Sequence, residues 1–153
     1  MRNQKKLLLE QLDKRLKPFK GTEKVVVPSI GWVKNIRTAL NMTLSQLGKK
    51  LNITKQGARD LEKREESGVI SIQLLREVGR VLEMDFVYGF VPIDGSVDQL
   101  VEKKAKKMAT KIVLRTSQSM KLENQGNSDE RIKQAIEELT EDLKNELQKS
   151  LWD

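Results

Sequence analysis

Lys55, Gln56 and Arg59 fall within five residues of one another in the stretch "TKQGARDLEKRE". Their chemistry is that of base recognition. A glutamine amide pairs bidentately with adenine, and arginine or lysine with guanine, through the major-groove edges of the bases. On a helix these three side chains share the first two turns, the part that reaches base edges when a recognition helix enters the major groove. Asp60 and Lys63 complete the outward face, while Ala58 and Leu61 fall on the opposite, apolar side. The alternative is a helical hairpin whose charges are merely solvated.

The elements that must position these residues are legible from caps and spacing. Thr43 caps a helix "LSQLGKKL", and Thr54 caps the helix carrying Lys55, Gln56 and Arg59. Between them lies the short turn "NIT", where Asn52 tolerates positive φ. Gly48 is small where two helices must approach closely, and Leu47, Leu51, Ile53, Ala58 and Leu61 supply the apolar contacts. Ser29 is a plausible cap for "IGWVKNIRTAL", with Trp32, Val33, Ile36 and Leu40 on one face, and Ser71 caps "IQLLREVGRVLE". On this reading Glu62, Glu65 and Glu66 gather at the far end of the second helix, where phosphates would repel them. That polarity says which end of the helix would face DNA.

Outside this region the pattern stays helical with one interruption. Leu8, Leu12, Leu16 and Phe19 recur at helical spacing in a first helix that Pro18 limits. "DFVYGFVP" is β-branched and aromatic and reads as one strand, which must pair with "KVVV" or with its own copy across a dimer axis. A long helix then runs from Val97 to about Leu122, with Val101, Met108 and Ile112 inward. The last helix carries Ile132, Ile136, Leu139, Leu143, Leu147 and Leu151 at 3–4 spacing. The expected organisation is an N-terminal helix and arm (1–27), a helix-turn-helix domain ending in the strand (28–92), and a C-terminal helical region (96–153). The expected fold is mostly α: a five-helix bundle, one short β-strand pair, and a C-terminal helical pair.

Composition narrows the functional classes. The chain has 153 residues, no Cys and no His, which removes thiol chemistry, imidazole acid–base catalysis and the usual zinc, iron and copper sites. No Gly-rich phosphate loop is present, so neither an enzyme nor a cofactor or metal site is expected. No apolar run approaches the length of a membrane span or a secretory leader, and the expected location is cytoplasmic. Net charge is +7, distributed unevenly. Residues 1–27 carry +5, 28–68 carry +4, 69–95 carry −2, 96–122 carry +5 and 123–153 carry −5. Phosphates would therefore meet the N-terminal and middle parts and avoid the tail. The run "KKAKK" (Lys103, Lys104, Lys106, Lys107) reads as a solvated helix face or as a second DNA contact. Trp32 and Trp152 read as core or interface anchors.

The segment from Thr43 to Glu65 resembles the Xre/lambda-repressor-like helix-turn-helix family. The resemblance implies that Thr54, Lys55, Gln56 and Arg59, with Lys63 on the same face, contact DNA, and that Ser45 or Gln46 holds phosphate. Three positions depart from the family pattern: Leu44 stands where Gln is frequent, Asn52 replaces the common turn Gly, and Gly57 lies inside the recognition helix. A longer resemblance covers nearly the whole chain. "GWVKNIRTALNMT", "FVYGFVP" and the terminal "LWD" are similar to the mobile mystery protein A family, whose members are encoded beside a Fic-domain protein. This implies a transcriptional repressor that binds a palindromic double-stranded DNA operator as a homodimer. It also implies the antitoxin of a toxin–antitoxin-like module with a Fic-domain AMP-transferase. "SMKLEN" matches the Fic-inhibitory pattern, in which Glu123 would occupy an active-site arginine, with Ser119 and Asn124 beside it. A pattern this degenerate also arises by chance. Glu123 near a helix C-terminus opposes the macrodipole, which favours an external cation as its partner.

Overall fold

The computed structural model describes residues 2–122 and 129–153. The chain divides into two compact units, Glu23–Tyr88 and a second made of Met1–Thr22 with Gly89–Asp153. The first helix thus shares a unit with the C-terminal helices.

The unit Glu23–Tyr88 holds four α-helices rather than the five expected: α2 (Trp32–Ala39), α3 (Leu44–Leu51), α4 (Lys55–Ser67) and α5 (Ile72–Val81). Each apolar face follows 3–4 spacing, so Val33, Leu47, Ala58, Leu61, Val78 and Leu82 close into one buried cluster. Ile36, Leu44, Leu51, Leu74 and Leu75 pack around it. Each fully buried Leu or Val contributes about 1.5–3 kcal/mol relative to exposure. Chain reversals use positive φ at Asn41, Asn52, Gly68 and Glu83. Thr43, Thr54 and Ser71 cap α3, α4 and α5 through their side-chain oxygens, and Thr43 forms a full capping box with Gln46.

α2 begins differently from expectation. Its N-cap is Gly31, at φ 90°, and not Ser29. No side chain of its own caps it; the Glu65 carboxylate on α4 accepts from the Trp32 and Val33 amides, both at 2.8 Å. Glycine at position 31 suits this φ, and a Cβ there would press on the capping carboxylate, 2.8 Å from Glu65 Oε1. One turn earlier on α4, Glu62 forms a bidentate pair with Arg37 of α2, at 2.6 and 3.1 Å. Arg37 Nη1 also donates to the Met42 carbonyl at 2.8 Å. Arg37 is 9% exposed and Glu62 5%. Neither Glu62 nor Glu65 is the free surface charge that the sequence suggested.

The expected β-strand pair does not form: among the described residues no strand is present. "DFVYGFVP" carries no regular secondary structure. Its β-propensity reports a fit to a pleated surface, and no neighbouring strand offers one. Its aromatic side chains find other partners. Phe86 and Tyr88 stack at 6.1 Å between ring centroids, and the Arg76 guanidinium of α5 lies 5.4 Å from the Tyr88 ring.

The second unit is built from α1 (Arg2–Leu16), α6 (Val97–Leu122), α7 (Asp129–Glu146) and a closing 3₁₀ turn, Lys149–Trp152. Val101, Ala105 and Ala109 recur every fourth residue on α6, and the two alanines let α7 approach closely. Leu143 and Leu151 complete the buried cluster, with Leu9, Met108, Ile136, Leu139 and Leu147 around it. Ile112, expected inward, is 44% exposed. The buried positions instead continue in multiples of four from Ala109 to Ser117, so the contact line winds around α6 and leaves Ile112 to one side. Asp13 of α1 accepts from the Val97 and Asp98 amides at 2.6 and 3.1 Å, capping α6 from another helix. Lys144 pairs with Asp98 at 3.0 Å. Burial pushes the Lys144 ammonium down, but the hydrogen bond and charge of Asp98, with Glu102 and Glu141, outweigh it and hold it above its ordinary range. The Lys144 ammonium therefore stays charged through neutral pH, and its contribution is lost as pH rises past that raised value.

Candidate nucleic-acid interface

The candidate surface is built by α3, the turn and α4. The capping box fixes where α3 starts, and Asn52 at φ 59° ends it in the left-handed region. The amide of Ile53 returns to the Gly48 carbonyl at 2.8 Å. A Cβ at Gly48 would lie 2.9 Å from the Ile53 carbonyl oxygen and 3.0 Å from that of Thr54, both backbone atoms. Only glycine lets the turn fold this tightly over α3. Ile53 itself, expected among the apolar contacts, is 41% exposed at the turn.

Thr54 Oγ1 accepts from the Gly57 amide at 2.9 Å and starts α4. Gly57, the glycine inside the recognition helix, acquires a local reason from this cap. A Cβ there would stand 3.3 Å from Thr54 Oγ1 and 3.5 Å from the Ile53 side chain. Its Cβ-free surface keeps the capping hydroxyl in place at the N-terminal turn.

Lys55, Gln56, Arg59, Asp60 and Lys63 are all exposed, so the outward face expected of α4 is present as a face. Ser45 and Gln46 are exposed on the first turn of α3. The Gln46 amide oxygen accepts from the Thr43 amide at 2.8 Å, so the capping box does not consume its Nε2 donors. Ser45, Lys49, Asn52, Ile53, Thr54 and Lys55 line one shallow open depression of about 430 Å³. It joins the starts of both helices, with a lysine from each helix on its rim. Gln56 Nε2 donates to Asp60 Oδ1 at 3.0 Å. Because a carboxylate only accepts, this bond decides which end of the Gln56 amide is nitrogen and leaves its oxygen free to accept.

Sequence reasoning missed Glu62, Glu65 and Asp60 as positioning residues. Arg37 carried a signal for the first of these: it lies one turn after Val33 on the apolar face of α2, where an unpaired guanidinium is not tolerated. Of the other predicted positions, Glu123 and Asn124 lie outside the described residues, as does the side chain of Ser119. Among the described residues no group of three or more carboxylates could hold a metal ion. No helix among them is long and apolar enough to cross a membrane. No family model, curated protein or solved structure matches the chain.

Proposed function

We propose that the chain is a sequence-specific DNA-binding repressor that acts as a symmetric dimer on a palindromic operator. The observation that carries the reading is the tight, doubly capped helix–turn–helix with Lys55, Gln56 and Arg59 exposed on the first two turns of α4. Lys55 and Arg59 supply cationic donors for guanine, and Gln56 an amide for adenine. Ser45 and Thr54 line the depression beside them and, with the exposed Gln46 next to Ser45, serve phosphate. A twofold dimer places two such helices about 34 Å apart, one turn of duplex. The test is a gel shift on DNA upstream of the chain's own gene, with Gln56→Ala and Arg59→Ala. Each loses about 1–3 kcal/mol of discrimination against altered operator bases. Normal discrimination by both variants, with helicity unchanged, refutes these contacts.

The same proposal extends to an antitoxin of a Fic-domain AMP-transferase, supported by the Ser119–Asn124 pattern and the family resemblance. Glu123 then occupies an arginine of the partner's active site, where it competes with nucleotide phosphate. Co-expression with the neighbouring Fic-domain protein tests it. Glu123→Gly releases AMP transfer if the pattern is functional and changes nothing if it is chance. A second reading gives the unit of α1, α6 and α7 to dimerisation alone. Leu8 and Leu12, one turn apart and exposed on α1, favour it.

A further inference from the structure

From Lys103 to Leu122 the chain has seven basic residues and no acidic one. The fold arranges part of this excess as a line. Lys103, Lys107 and Lys111 are spaced four residues apart on α6, so they succeed one another about every 6 Å along its axis. All three are exposed, with Lys106 exposed at their flank. The opposite side of the same helix carries Val101, Ala105 and Ala109, which are buried, so the lysine line faces away from the unit's own core.

The acidic helix α7 does not account for this line. Lys106, Lys107 and Lys111 make no ion pair among the described residues. Lys103 reaches Asp94 at 3.3 Å through a mostly exposed side chain. The Lys144–Asp98 pair that joins α7 to α6 runs with the opposite polarity, base on α7 and acid on α6. Like charges at i, i+4 oppose helix formation, and here two such pairs follow in succession, with a carboxylate only at the Lys103 end. A polyanion with regularly spaced charge removes that repulsion.

We infer that the α6 line of Lys103, Lys107 and Lys111, with Lys106, is a second contact for the phosphate backbone of duplex DNA. Lysine suits this role, being a compact point charge that binds phosphate without reading sequence. The inference rests on the DNA-binding reading of α4 and adds to it a sequence-independent component held by the other unit.

The test uses the full chain and a fluorescent duplex of random sequence, followed by anisotropy between 50 and 200 mM salt. The triple variant Lys106→Gln, Lys107→Gln, Lys111→Gln is compared with a control of equal net charge, Lys24→Gln, Lys133→Gln, Lys149→Gln. Each phosphate contact contributes about 0.9 to the slope of log K against log salt. The ridge variant is expected to lose about 2–3 from that slope, and to lose equally in fold on operator and random DNA. The control keeps the wild-type slope. Gln56→Ala loses discrimination at an unchanged slope, so the α4 reading stands or falls separately. An unchanged slope in the ridge variant overturns the inference, and so does an equal drop in the control. A ridge that serves an acidic protein surface gives the first of these results. Wild-type protein that binds neither duplex overturns both readings together.

Discussion

Replacing Glu62 with alanine strands the Arg37 guanidinium in the core of the helix-turn-helix unit. Arg37 is 9% exposed, and each of its three nitrogens donates, two to Glu62 and one to the Met42 carbonyl. Without Glu62 one carbonyl remains to satisfy a buried cation. Removing one partner of a buried pair costs about 3–5 kcal/mol, because the uncompensated charge stays behind. A unit of this size is stabilised by about 3–10 kcal/mol in total, so the variant loses much or all of its margin. At about 4–8 °C per kcal/mol, the melting temperature of that unit falls by about 12–40 °C. The double variant Arg37→Met, Glu62→Leu removes both charges and keeps apolar volume, and it melts near the wild type or above it. The assay is urea and thermal unfolding followed by Trp32 fluorescence in a Trp152→Phe background, with the two single variants and the double closing a cycle. Trp32 opens α2, the helix that the pair ties to α4, so its emission reports this unit. If Glu62→Ala costs less than about 1 kcal/mol, water reaches the guanidinium and the reasoning from burial is refuted.

Gly48→Ala places a methyl 2.9 Å from the Ile53 carbonyl oxygen and 3.0 Å from that of Thr54, and backbone cannot rotate aside as a side chain does. Calorimetry should show a loss of about 1–3 kcal/mol; a neutral variant would mean the turn is looser than described. Thr54→Ala removes the cap on α4 and should cost about 1 kcal/mol. Gly57→Ala, which normally gains about 0.5–1 kcal/mol in a helix, should gain less because its Cβ meets the Thr54 hydroxyl at 3.3 Å. In the Thr54→Ala background that obstacle is gone and the gain should return, so additivity of the two changes would contradict the contact.

What could be read in advance was local. Thr43, Thr54 and Ser71 act on amides three residues ahead, and Asn52 adopts the left-handed turn through its own backbone. The outward set Lys55, Gln56, Arg59, Asp60 and Lys63 followed from helical periodicity alone. What could not be read depends on partners far along the chain. Glu62 finds Arg37 25 residues away, and Glu65 reaches Val33 across 32. From sequence both looked like solvated acids at the end of a helix. Residues 85–92 failed for a related reason. Strand propensity needs a second strand, and its absence is a tertiary fact that no eight-residue window contains. The Gln56–Asp60 bond is the opposite case, since its i, i+4 spacing is local and visible in the sequence.

The Asp13 carboxylate holds two amides at the start of α6, 84 and 85 residues further along the chain. A ribosome delivers the two partners at very different times. When Asp13 emerges, nothing exists for it to cap, and Leu9 of α1 lacks the helices it packs against. The segment Glu23–Tyr88 is contiguous, so its core can assemble from residues already made. The order of synthesis and the order of folding therefore cross: α1 is made before the helix-turn-helix segment and completed after it.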